Sequence, residues 1–314
     1  MHRSRRVGLH HQTGGCGAAA VADARLAALM PALLSSQPMR RPPPPAVEAL
    51  ELELLLEALR QRHGYDFSGY ERSLIARKVE TLCAQLGLST ISALQARVLH
   101  DEDSYHILLR ALYVAPAQLF DDPLEASMLR LSLGASLHSA ALPRIWLADC
   151  AGAQQAWTLA ILLDQEQLAS RTEIYATVNS DAMLAEVQQE LLPLARLGEL
   201  QANYLRSGGI GKLTDYFDTG EDGAVLKPHL ASRITWAQYN LVTDASFNEF
   251  QMILGQRALP EFAAPLRKRV LQLFDDSLTR FGVLALDRPF DEFDPRARRY
   301  KPLLPHQSWY KRLA

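Results

Sequence analysis

At 314 residues, with 48% apolar and 22% charged side chains, the chain can bury the core of one large or two modest domains. A formal net charge of −2 and a pI near 6.5 exclude a general electrostatic pull toward nucleic acid or anionic membrane. The longest apolar run, around Ala156–Leu163, is too short to span a bilayer, and Cys16, Cys83 and Cys150 have neither disulfide nor zinc spacing; reduced thiols in a cytoplasmic protein are expected.

In chain order, Met1–Pro45 stands apart. It is rich in Arg, Gly, Ala and Pro, has Asp23 as its only acid, and ends in four prolines. It reads as a disordered extension, with a targeting segment and a start at Met39 as alternatives. From residue 46 the pattern is helical. Leu50, Leu54, Leu55 and Leu59 recur at helical spacing up to a stop at Gly64. A second helix spans about Tyr70–Leu86, a third Ile91–His100 behind Ser89 or Thr90 as cap, and a fourth Tyr105–Val114. Short loops make residues 46–120 a small bundle, and residues 121–143 read as a linker.

Past residue 144, strands and helices alternate: Ile145–Asp149, Ala156–Asp164, Glu173–Val178, Asp181–Leu192, Ile234–Val242, Phe250–Leu254, Ala263–Arg280 and Gly282–Leu286. The pattern predicts an α/β domain over 144–314 with a mostly parallel sheet covered on both faces. Turn residues between about 198 and 236 predict a small inserted antiparallel unit. The strand–loop–helix from Ile145 to Leu163 has the frame of a nucleotide or cofactor site. Its loop carries one glycine, Gly152, and no acid past Asp149.

These segments together resemble the chemotaxis receptor methyltransferases, the CheR family. The resemblance runs over roughly Leu50–Leu286 and rests on Tyr65-Asp66-Phe67, Tyr70-Glu71-Arg72-Ser73-Leu74, Leu86-Gly87-Leu88-Ser89, Ile145-Trp146, Leu159-Ala160-Ile161, Ile174-Tyr175-Ala176-Thr177, Asp215-Tyr216-Phe217, Tyr239-Asn240-Leu241 and Phe250–Leu254. It implies a helical bundle followed by a Rossmann-like S-adenosylmethionine-methyltransferase fold. It also implies methyl transfer from that cofactor to receptor glutamates, a displacement in which positioning supplies most of the acceleration.

The polar positions of the family pattern depart from it. Its Asn-x-Thr-x-Phe-Phe-Arg becomes Ala115, Ala117, Leu119, Phe120 and Asp121, so a cation becomes an anion and repulsion is expected. In its Thr-Gly-Glu-Glu-Pro-Tyr-Ser loop both acids become amides, Gln154 and Gln155. The ribose-holding acid becomes Val178, and Cys-Arg-Asn-Val-x-Ile-Tyr-Phe becomes Gly255, Gln256, Arg257, Ala258, Leu259, Pro260, Glu261 and Phe262. Asn240 and Leu241 alone keep the family identity among the cofactor positions. The expectation is therefore a degenerate pocket without an intact catalytic set, no bound cofactor unless the pocket still accepts S-adenosylmethionine, and a bacterial signalling adaptor.

The adaptor's partner would be a chemoreceptor, a response regulator or another signalling protein, met by Arg72, Arg77 and Lys78 or by strand addition within Tyr204–Trp236. The alternatives are an active methyltransferase gripping its cofactor through Asp149, Gln154, Asn240 and Arg257, and a pocket remodelled for another small ligand. Asp149 reads first as a loop-ordering residue, and Arg257 as the ion-pair partner of Asp121 or Glu261. Ser207–Leu213 has the wrong spacing for a phosphate loop, and His63, His100, His106, His138 and His229 show no metal spacing. The basic, aromatic carboxy-terminal tail reads as a sheet-edge segment.

Overall fold

The computed structural model describes residues 46–303 and 308–313, apart from Pro116, Ala151, Ala258 and Glu292. The expected amino-terminal extension and Cys16 lie outside the described residues. The bundle is built as the apolar spacing requires. Helices α1 (Val47–His63), α2 (Arg72–Gln85), α3 (Ile91–His100) and α4 (Glu102–Leu112) enclose Leu55, Leu59, Ile75, Val79, Leu94, Leu108 and Leu112. Gly64, at φ 78°, ends α1 in the left-handed conformation that glycine adopts without strain. Thr90 and Asp101 cap α3 and α4 by accepting from the backbone N–H of Ala93 and Ser104.

The stretch expected as a linker is not one. Residues Pro123–Leu137 form α5, whose Ala126, Leu129, Leu133 and Leu137 enter the core of the sheet domain. Asp122 accepts from Leu124 and Glu125 N–H at its start, and Pro123 supplies a preset first turn. Acid followed by proline was a helix start hidden in what looked like a break. The described residues from Val47 onward form one compact unit.

Strands β1 (Arg144–Leu147), β2 (Glu173–Val178), β5 (Ile234–Gln238), β6 (Phe250–Leu254), β7 (Leu278–Ala285), β8 (Tyr300–Pro302) and β9 (Trp309–Arg312) make one sheet in the order β5-β2-β1-β6-β7-β9-β8. The first five are parallel; β9 runs antiparallel to β7 and β8, so the basic tail does complete the sheet. On one face α6 (Ala153–Gln165) buries Leu159, Ile161, Leu162 and Leu163; on the other, α10 (Ala264–Ser277) buries Val270 and Phe274. α7 (Asp181–Gln189) connects β2 to the inserted region.

That region opens on a helix, α8 (Leu194–Arg206), rather than on strands. Gly198 lies inside it, tolerated because Leu197, Leu200 and Tyr204 form a strong buried stripe. The antiparallel part is a single hairpin, β3 (Phe217–Thr219) with β4 (Ala224–Leu226), followed by the short α9 (Pro228–Ala231). Ser207-Gly208-Gly209 ends a helix instead of starting one, and Gly209 lies against the Tyr204 ring. It is not a phosphate loop.

Candidate functional site

From β1 the chain steps to β2 and on to β5 on one side, then crosses back to β6 on the other, so the strand order reverses at β1 and a crevice opens at the carboxyl ends of these strands. Ala148 N–H donates to Leu254 O at 3.0 Å and Cys150 N–H to Thr177 O at 2.6 Å, tying the loop after β1 to both neighbours. Between these anchors Asp149 takes φ 53°, and Phe120, at the junction with the bundle, takes φ 51°. Non-glycine residues held there store strain, and such strain gathers at functional sites.

Asp149 is half-buried and forms no ion pair among the described residues. Asn179, just past β2, donates its amide N–H to Asp149 Oδ1 at 3.2 Å, while its own Oδ1 is buried without a donor. Burial first and the nearby Glu261 second raise the Asp149 carboxyl, the Asn179 hydrogen bond and Lys78 oppose the rise, and the net is a shift from 3.8 to about 6. Val178, the position lacking the expected acid, is fully buried, and its carbonyl accepts from Tyr239 N–H.

The first turn of α6 carries another charge that its own sequence lacks. Glu190, just beyond α7, accepts from Ala153 N–H at 3.0 Å and from the Gln154 side-chain amide at 2.8 Å. Gln154 Oε1 in turn accepts from Leu119 N–H at 3.0 Å, and Thr158 Oγ1 from Phe120 N–H at 3.1 Å, fastening the junction segment to α6. Ala115 is exposed and Ala117 buried, and neither brings a polar side chain. A cavity of about 120 Å³ lies beside this turn, lined by Leu109, Tyr113, Gly152, Met183 and Glu190.

At the junction, Arg257 donates to Asp121 at 2.9 Å, the side chains being 27% and 31% exposed. The repulsion expected from Asp121 is thereby corrected: its charge is neutralised, and the cation now comes from beyond β6. Gln256 and Arg257 line a shallow surface hollow with Asp122 and Glu125.

Three further sequence expectations change. Lys78 does not belong to an outward cationic face. Its ammonium donates to Leu112 O at 2.9 Å, Tyr113 O at 3.1 Å and Glu261 Oε2 at 2.8 Å, so it pins α2 to α4 and to the segment after β6. Arg72 is paired with Glu53 at 3.0 Å, leaving Arg77 exposed. Asn240, though it keeps the family identity, spends its side chain locally by accepting from Val242 N–H at 2.8 Å; Leu241 is buried beside it. The hairpin also offers less than a full sheet for strand addition, since Leu192 pairs with Ala224 on the outer edge of β4.

Asn179 and Glu190 are the site residues that sequence reasoning missed. Asn179 directly follows Val178, where the family acid is lost, but an amide there carries no charge to mark it, and Glu190 lies in no segment where a charge was lost. Cys83 and Cys150 are free and buried. Among the described residues, no helix is long and apolar enough to cross a membrane, and no cluster of three or more His, Cys, Asp or Glu could hold a metal ion.

Comparison with known proteins gives two family matches. Residues 50–113 match the all-alpha domain of CheR methyltransferases, and residues 123–288 their SAM binding domain. A relative in Pseudomonas putida that bears the methyltransferase name Cher3 is 30% identical over 264 residues, covering 84% of this chain and 97% of its own. Chemotaxis protein methyltransferase 1 of Pseudomonas aeruginosa is 23% identical, over 75% of this chain and 88% of its own. The solved S-adenosylhomocysteine-bound structure of the methyltransferase CalO1 aligns with 88% of this chain and 68% of its own, at 11% identity and a TM-score of 0.33.

Proposed function

The chain belongs to the CheR methyltransferase family, and on that premise we propose that it binds S-adenosylmethionine in this crevice and methylates carboxylate side chains of a chemoreceptor. The observation that carries the reading is the Asp149–Asn179 pair. A carboxylate without a cation, beside an amide oxygen without a donor, is a costly arrangement to keep in a crevice unless a ligand brings donors. A ribose diol is such a ligand, and the donor chemistry fits it: Asp149 and Asn179 would each accept from a hydroxyl.

When bound, the cofactor supplies an electrophilic methyl group on a sulfonium. The residues of this chain do the holding. Asp149 and Asn179 stand in for the acid absent at Val178. Arg257 keeps a cation at the junction where Asp121 removed one, and this supports a grip that has moved rather than vanished. Attack by a carboxylate needs no general base, so the loss of the family tyrosine at Glu261 removes an orienting group and not a proton acceptor.

A second reading, a family member that binds partners without catalysis, is favoured by one observation. Glu261 is locked onto Lys78, so the position of the family tyrosine holds an ion pair. One experiment separates the two. The purified protein is melted with and without S-adenosylhomocysteine, then incubated with labelled S-adenosylmethionine and receptor cytoplasmic fragments. Ligand at about a hundred times its dissociation constant adds about 2.7 kcal/mol, and the proposal expects that shift, its loss in Asp149→Asn, and label in base-labile esters on the receptor. A shift without ester supports the adaptor reading, and no shift rejects cofactor binding outright.

A further inference from the structure

Glu190 lies outside every motif that suggested the function. We propose that its carboxylate supplies the negative charge missing from the first turn of α6, and that it receives the ammonium group at the amino-acid end of the cofactor. The inference deepens the reading above and depends on it.

Three observations converge on this residue. The first turn of α6 has amides at Gln154 and Gln155 where the family pattern has acids. Glu190 reaches that same turn from the end of α7, 2.8 Å from the Gln154 amide nitrogen and 3.0 Å from Ala153 N. The acid has left this turn in sequence and returned to it in space. Second, no Lys or Arg pairs with Glu190 among the described residues, so the two neutral donors orient the carboxylate without cancelling its charge. Each oxygen uses one acceptor site and keeps another. Third, Glu190 lines the cavity that also has Gly152, Ser180 and Tyr113 in its wall, next to the ends of β1 and β2. An anion fixed at this spot suits a cationic donor and opposes a second anion.

A carboxylate at the start of α6 would also stabilise that helix with no ligand present, so the test must separate holding a helix from holding a ligand. Isothermal titration is run with S-adenosylhomocysteine and with methylthioadenosine, which has the same adenosyl thioether but no amino-acid end. The proteins are the full chain, Glu190→Gln, and the exchange Gln154→Glu/Glu190→Gln. Losing a charge-assisted hydrogen bond should weaken S-adenosylhomocysteine binding by roughly tenfold to a hundredfold in Glu190→Gln, with methylthioadenosine unaffected and the exchange variant restored toward wild type. Equal weakening of both ligands, unchanged S-adenosylhomocysteine affinity, or no rescue by the exchange would overturn the assignment while leaving cofactor binding intact. Wild type that binds neither ligand would overturn both.

Discussion

Replacing Asp149 by Asn should make the protein more stable and less able to bind its ligand. The folded structure holds the Asp149 carboxyl near 6 against an ordinary 3.8, mainly through burial. A difference of about two pH units corresponds to about 3 kcal/mol, since each unit is worth about 1.4 kcal/mol. The raised value means that the folded chain binds a proton that the unfolded chain has released. Stability therefore falls as pH rises from about 4 to about 6, and the full penalty is present above that window.

Asparagine keeps an oxygen to accept from Asn179 and tolerates the left-handed backbone at φ 53°, so it removes the charge with little else. Urea unfolding followed by tryptophan fluorescence should show the variant up to about 3 kcal/mol more stable at pH 7.5 and no different at pH 4. A variant less stable at pH 7.5, or a difference independent of pH, would refute the account of this carboxylate. Stability gained at the expense of binding marks a residue kept for function.

Other substitutions probe the remaining parts of the site. Lys78→Met strands Glu261 and two carbonyls, and should cost roughly 2–4 kcal/mol in urea unfolding. A double-mutant cycle on Asp121→Ala and Arg257→Ala should give a coupling of about 1 kcal/mol or less, because the pair is partly solvated. Gly255→Cys, which restores the family residue, places a Cβ 2.4 Å from the Phe274 ring and should lower stability by roughly 1–3 kcal/mol. A stable Gly255→Cys protein would show that Phe274 can move aside.

The fold was legible because its cores are written locally. The apolar stripe of α1, the cap at Thr90 and the buried runs of β2 and β6 each carry their own period and ends, and β2 and β6 fall where expected. Helix α5 was missed because Asp122-Pro123 signals both a turn and a helix start. α8 was missed because Gly198 and the glycines after it outweighed the stripe from Leu197 to Tyr204.

The site was less legible for a different reason. Its lost charges could be read position by position, but their replacements come from other elements. Arg257 faces Asp121 across 136 residues of sequence, and Glu190 reaches Gln154 across 36. Conversely, Asn240 keeps its identity and orders only its own turn. Side-chain identity at an aligned position was a poor guide to where charge stands in space.

The polar grip proposed for the crevice consists of Asp149, Asn179 and Glu190. Crystals grown with S-adenosylhomocysteine test it most directly. The account predicts density with the ribose hydroxyls on Asp149 and Asn179 and the amino group on Glu190. An empty crevice at saturating ligand, or a ligand seated away from these three side chains, would contradict it.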